Sequence, residues 1–396
     1  MSSLPQNLLK YLRKRPFNGS WTLEGHFRDD YDACIIIPAL AEADNLPETL
    51  ESLSKNPQEF LDRTLIVVVV NHRVDTILSL QRDNQKTLAL LRQYPSNNLQ
   101  LTWVNACTQG LELPDKQGVG LARKIGFDLA LSHLNCQTNP FLISLDADTL
   151  VHPNYLPALY KHFLNSSQGG ATIPFRHRVP YGQENEYAIR SYELYLRSYA
   201  YGLSLARSPY AYTSIGSAFA CTAEAYIQAG GMNRRQAGED FYFLQQVAKT
   251  TRISHVHGTM VFPSSRTSTR VPFGTGVAVS SQTEAGPPVF TFSEKSAFAT
   301  LKEWLILATT HWQANPREVL DRACQIDPRL GFFLRKLNFE EVWSQLKSNH
   351  REKNQFINNF HCWFDGLRSR QLLTSLSKME RDNALVIVNE LFRWGG

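Results

Sequence analysis

The sequence predicts an α/β fold, with a mostly parallel sheet flanked by helices and an all-helical C-terminal extension. Three observations lead there. Short, continuously apolar runs alternate with amphipathic segments through the first part of the chain, which is the pattern of strands covered by helices on both faces. Beyond Gly286-Pro287-Pro288 only helical patterns remain. With 396 residues, 43% apolar and 19% charged, the chain can bury one large core and a smaller one.

The elements follow in order. Residues 33–38 (Ala-Cys-Ile-Ile-Ile-Pro) are apolar on both alternating faces, as a buried strand must be. A helix over 46–53 carries Pro47 in its first turn, where no backbone donor is needed. Strands are predicted over 64–70, 99–104 and 140–145, with helices over 75–94, 120–134 and 153–165. Residues 184–206 read as a long tyrosine-rich helix, 222–231 and 238–249 as short helices, 253–262 as a strand and 264–276 as a polar loop. The expected domains are an N-terminal helical arm (1–30), an α/β domain (31–290) and a helical subdomain (291–396).

Charge and cysteines narrow the function classes. A net charge of +5 with no basic run longer than Arg13-Lys14-Arg15 argues against nucleic acid and suits a small anion such as a nucleotide diphosphate. The six cysteines form no CxxC pair, which argues against zinc and fits a reduced, cytoplasmic setting. The N-terminus lacks the apolar core of a signal peptide, and the longest apolar run, 65–70, is too short to span a bilayer. Leu4, Leu8, Leu9 and Leu12 with Lys10, Arg13, Lys14 and Arg15 describe either an ordinary terminal helix or a membrane-surface one. Peripheral association at a membrane therefore stays open.

In an open α/β sheet, ligands bind at the carboxyl ends of the strands. The polar residues there are Glu42, Asn71 with His72, and Asp146 with Asp148. Two carboxylates one residue apart at a strand end share a side, and like charges that close call for a cation. A hard divalent ion, Mg²⁺ or Mn²⁺, suits them; a solvated turn is the alternative. Gly238-Glu239-Asp240 opens a helical pattern, so its acids serve as an N-terminal cap, a general base, or both. His255 and His257 alternate on the expected strand, and either would be a candidate metal ligand or a pocket histidine. Arg266 and Arg270 sit in the polar loop as candidate phosphate clamps. Tyr192, Tyr195 and Tyr199 share a helical face, as packed core or as a sugar-stacking surface.

Several of these segments together resemble the family-2 glycosyltransferases of GT-A fold. Ile35-Ile-Ile-Pro-Ala-Leu-Ala-Glu-Ala-Asp-Asn-Leu46 is similar to their "IPAYNEEENL" opening, and Gly118-Val-Gly-Leu-Ala-Arg-Lys-Ile-Gly126 to their G-x-x-x-A-R-N-x-G helix start. Asp146-Ala-Asp148 resembles their DxD, Ile215–Thr222 with Gly230-Gly-Met232 their acceptor-side segment, and Gly238-Glu-Asp240 their ED motif. The resemblance covers about residues 31–275 in the same order. It implies a donor that is a nucleotide-diphosphate sugar and an acceptor hydroxyl on a glycan, a lipid-linked sugar or a small molecule. It implies a divalent metal held by Asp146 and Asp148, with His257 as a further ligand, and inversion at the anomeric carbon. Asp240, with Glu239 beside it, would supply the catalytic base. Pro38, Ala39, Glu42, Asn71, Arg123 and Asp146 would line the nucleotide, and Arg270, read from the loop itself, would clamp its phosphates.

Two departures stand out. The second strand ends in Asn71-His72-Arg73 where the family usually has Asp-Asp-Gly-Ser, which leaves the base unidentified, and Lys124 replaces an asparagine. The first departure motivates an alternative, a non-catalytic nucleotide-sugar sensor or scaffold. A sugar-nucleotide synthesising enzyme is disfavoured, because residues 39–46 contain neither glycine nor lysine.

Overall fold

In the computed structural model, the described residues are 5–15, 19–95, 98–179, 183–266, 292–377 and 384–395. Their strands are β1 (Glu24–Gly25), β2 (Ala33–Ala39), β3 (Thr64–Asn71), β4 (Gln100–Ala106), β5 (Phe141–Ser144), β6 (Leu150–Val151), β7 (Gly170–Thr172), β8 (Phe219–Thr222), β9 (Ile253–His255) and β10 (Val261–Phe262). Eight of these make one sheet in the order β1-β4-β3-β2-β5-β8-β7-β9. β2 runs parallel to β3 and β5, and β3 parallel to β4, while β8 is antiparallel to both β5 and β7. The sheet is thus parallel at its centre, as predicted.

Every residue of β2 and β3 is buried, the consequence of being apolar on both faces. β4 buries only alternate residues over most of its length, in keeping with its place next to the edge. The chain runs β2, β3, β4 outward on one side and then places β5 on the other side of β2. That reversal opens a crevice at the carboxyl ends of β2 and β5.

The helices of this first part are α1 (Gln6–Lys14), α2 (Leu46–Ser54), α3 (Gln58–Leu61), α4 (Leu78–Gln93), α5 (Val119–Ala130), α6 (Tyr155–Asn165), α7 (Gln183–Leu205), α8 (Ala223–Gln228) and α9 (Glu239–Thr250). α5 packs directly on β2 and β3. A Cβ at Gly126 would stand 2.5 Å from Ile36 Cγ2 and 3.0 Å from Val69 Cγ2, so glycine there permits the close approach. α1 turns Leu8 and Tyr11 inward. Tyr11 donates to Asp128 Oδ1 at 2.8 Å and accepts from Lys124 Nζ at 2.9 Å, while Lys124 also pairs with Asp128 Oδ2 at 2.6 Å. Lys10, Arg13, Lys14 and Arg15 are exposed.

One predicted strand divides. Residues 253–262 form β9 on the main sheet and β10 in a separate antiparallel pair with β6. Gly258, at φ +81°, lies in the turn between them. His255 and His257 therefore do not share a strand face, because β9 ends at His255. The short β1 and β7 were not predicted; both owe their pairing to neighbours distant in sequence.

The chain divides into two compact units, Met1–Ile189 with Ser214–Gly286 and Arg190–Thr213 with Pro287–Gly396. The second unit takes α7 from Arg190 onward, then α10 (Lys295–Thr310), α11 (Pro316–Ile326), α12 (Pro328–Lys336), α13 (Phe339–Asn349), α14 (Lys353–Trp363), α15 (Gly366–Leu376) and α16 (Ala384–Gly395). Its core is aromatic, with Phe339, Phe360 and Phe364 edge-on to a fully buried Trp304. Tyr195 and Tyr199 belong to this packing: their rings stack on each other, Tyr195 meets Phe292 and Tyr199 meets Phe298. All six cysteines are free. No helix among the described residues is long and apolar enough to cross a membrane.

Candidate active site

Arg123 links the segments that meet at the carboxyl end of β5. It lies on α5, which Gly126 lets settle onto the sheet, and is 1% exposed. Its Nε donates to Ser144 Oγ at 2.8 Å, and its two terminal nitrogens pair with Glu239 and Asp146. Ser144 Oγ in turn donates to Gly216 O at 2.6 Å. A Cβ at Gly216 would lie 2.5 Å from Arg123 Nη2, so this glycine provides the space for the guanidinium. One cation thereby joins the end of β5, the loop before β8 and the start of α9.

Asp146 and Asp148 do not lie on a strand. β5 ends at Ser144, and Thr149 N donates to Asp146 O at 3.1 Å across a turn. The strand-alternation argument for a shared side therefore fails. Each carboxylate instead meets its own guanidinium: Asp146 pairs with Arg123, and Asp148 Oδ2 with Arg266 Nη2 at 2.9 Å. Arg266 also pairs with Glu42. Burial pushes the Asp148 carboxyl up to about 6; Arg266 and Arg178 oppose the shift, and Asp146 and Glu42 add to it.

The acids of α9 differ in their surroundings. Glu239 is buried against Arg123, whereas Asp240 is half-buried and its Oδ1 accepts from Phe241 N at 2.7 Å. Asn233 Nδ2 donates to Glu239 O at 2.7 Å and steadies the start of the helix. Burial raises the Asp240 carboxyl too, with Arg123 opposing and Asp146 adding. For Glu239, burial is again the largest cause of the rise, from 4.5 to about 7, with Arg123 opposing and Asp240 adding. The folded state thus holds an extra proton on Glu239 between those two values, and the stability this contributes is lost as pH rises through that window. The thermal midpoint should fall more between about pH 5 and about pH 8 in the unaltered protein than in Glu239→Gln; equal slopes in melting curves would refute the assignment.

The residues at the carboxyl ends of β2 and β3 are fixed by α4. Asn84 is fully buried; its Oδ1 accepts from Ala41 N at 2.8 Å, and its Nδ2 donates to Asn71 O at 3.0 Å and to His72 Nδ1 at 2.9 Å. Burial lowers the His72 pKa, and because Asn84 Nδ2 donates to Nδ1, the neutral form of the ring carries its hydrogen on Nε2. Ala41 is held at φ +54°, a conformation that an alanine rarely adopts and that tends to mark functional turns. Asn71 donates from Nδ2 to Ala39 O at 3.2 Å and to Val69 O at 2.9 Å. Both its donors are thus taken, leaving only Oδ1 to accept.

Pro38, Ala39, Glu42, Arg123, Asp146, Asp148, Glu239 and Asp240 all belong to the first unit. Arg270 lies outside the described residues. His257 and His255 neighbour His162, whose pKa burial lowers, with the two other rings adding to the effect. Among the described residues, no group of three His, Cys, Asp or Glu side chains is arranged to hold a metal. Ser144, Asn84, Asn233 and Gly216 were not foreseen; isolated small polar residues and a single glycine carry no pattern of their own.

Comparison with known proteins bears on this site. The model of the family "Glycosyl transferase family 2" matches residues 34–228. No curated protein matches the sequence. Among solved structures, S. aureus TarS 1–349 in complex with UDP-GlcNAc aligns at 14% identity over 92% of each chain, with a TM-score of 0.42. The mannosyltransferase PcManGT from Pyrobaculum calidifontis, in complex with GDP-Man and Mn²⁺, aligns at 14% identity over 98% of this chain and 93% of its own, with a TM-score of 0.35. The family match begins within β2 and ends with α8, spanning β3 to β8, Arg123 and the Asp146-Ala-Asp148 turn; residues 34–228 are a glycosyl transferase family 2 domain, on the mainly parallel sheet expected of the GT-A fold.

Proposed function

We propose that the protein is an inverting glycosyltransferase that moves a sugar from a nucleotide-diphosphate sugar to an acceptor hydroxyl with help from Mn²⁺ or Mg²⁺. The observation that carries this reading is the buried Arg123, which ties the Asp146-Ala-Asp148 turn to the Glu239-Asp240 helix start. That link supports reading Asp146 with Asp148 as a donor end and Glu239 with Asp240 as an acceptor end.

At the donor end, Asp148 and Asp146 would hold the cation, with Glu42 nearby. The donor set fits: all are hard oxygen ligands, and the charges of Asp146 and Glu42 both raise the proton affinity of Asp148, so the turn favours a positive partner. The ion would supply charge neutralisation for the departing diphosphate. Pro38, Ala39 and the turn at Ala41 would border the nucleoside, with Asn71 Oδ1 as acceptor and His72 Nε2 as donor for a base edge.

At the acceptor end, Glu239 is committed to Arg123, so Asp240 is the carboxylate left to act as base. It takes the proton from the acceptor hydroxyl as the new bond forms at the anomeric carbon. The bond to the diphosphate oxygen breaks on the opposite face, which inverts the centre. Its raised pKa makes Asp240 a stronger base than an exposed carboxylate.

The test is to incubate the protein with Mn²⁺ and a panel of nucleotide sugars and to measure released nucleoside diphosphate. Turnover should appear with one donor and drop at least about a hundredfold in Asp148→Ala. Calorimetric nucleotide binding with no turnover on any acceptor would favour the sensor or scaffold instead.

A further inference from the structure

The pairing of β6 with β10 delivers a second charged group to the donor end. Val261 faces Val151 and Phe262 faces Leu150, antiparallel. Residues just before β6 therefore run beside residues just after β10, and Asp148 comes to lie against Arg266. A single nitrogen, Arg266 Nη2, contacts both Asp148 Oδ2, at 2.9 Å, and Glu42 Oε1. The Glu42 and Asp148 side chains are only 10% and 19% exposed, and that of Arg266 30%. Arg178 does not duplicate this role, since its Nη2 donates to the Asp148 backbone O at 3.2 Å and its Nη1 to Glu48 at 2.9 Å.

We propose that Arg266 is a resident counter-cation that occupies Asp148 and Glu42 until a nucleoside diphosphate draws it away, so that metal binding at Asp148 depends on the nucleotide. The proposal rests on the metal role given to Asp148 above. Two partly buried carboxylates this close need a positive charge between them, and Arg266 provides it. A guanidinium and a divalent ion cannot share the same carboxylate oxygen, because both require its lone pair and they repel each other. A diphosphate offers the guanidinium a well-matched partner, since its fork of donors fits phosphate oxygens. Once Arg266 turns to the diphosphate, the Asp148 oxygen it held can take the ion in its place. Metal and nucleotide then favour each other reciprocally, and the free protein's affinity for metal is lowered by the fraction in which Arg266 is bound.

The experiment measures Mn²⁺ binding to the full chain from the electron paramagnetic resonance signal of free Mn²⁺, with and without UDP or GDP. Without nucleotide, Arg266→Gln should bind Mn²⁺ about tenfold or more tightly than the unaltered protein. The gap should close when the bound nucleotide is present. Arg266→Lys, which keeps the charge, should stay near the unaltered affinity, and Asp148→Asn should remove the gain of Arg266→Gln. Melting curves establish that each variant is folded. Equal Mn²⁺ affinities for the unaltered protein and Arg266→Gln, with nucleotide-dependent binding intact in both, would overturn the counter-cation and leave the metal role standing. Absence of Mn²⁺ binding in every form, even with nucleotide, would overturn both.

Discussion

Replacing Arg123 with methionine is expected to cost about 3–5 kcal/mol of stability, because it leaves partnerless charge in the crevice. Arg123 is 1% exposed, and its guanidinium serves Glu239, Asp146 and Ser144 at once. Methionine keeps much of the apolar stem, so the loss reports the charge and not a cavity. For a unit of this size the thermal midpoint should fall by roughly 10 °C, read from heat or urea unfolding. Adding Glu239→Gln to Arg123→Met should recover part of the loss, because it removes a buried acid left without its cation. If Arg123→Met melts like the unaltered protein, the guanidinium does not hold the two ends together.

The second large effect is catalytic. Asp240→Asn keeps the shape and the acceptor oxygen for Phe241 N, but it cannot take a proton. The rate constant kcat should fall by about 10²–10⁴, while calorimetric binding of the nucleoside diphosphate stays unchanged. Matching losses of binding and kcat would place Asp240 at the donor end instead. Comparison with Glu239→Gln separates the two acids: that variant should disturb stability and its pH slope more than the chemical step.

Much of the layout was legible. The apolar runs of β2 and β3 announce buried central strands, since no other environment tolerates apolar residues on both faces. Pro47 marked the start of α2. Asp146, Asp148, Glu239 and Asp240 were visible as acids at the ends of predicted elements. The split of 253–262 was not legible, because a single glycine within a run of strand-forming residues does not say that the two halves pair with different partners.

The sequence by itself determined the α/β order, the carboxylates at the strand ends and the family likeness, because these rest on local periodicity and short motifs. Only the tertiary structure decided which cation meets which acid. Arg123 is 116 residues from Glu239 and 23 from Asp146, and Arg266 is 224 from Glu42. Such pairs leave no trace in spacing. They arise when the approach of α5 to the sheet and the β6–β10 register bring charges into a crevice where burial makes each of them require a partner.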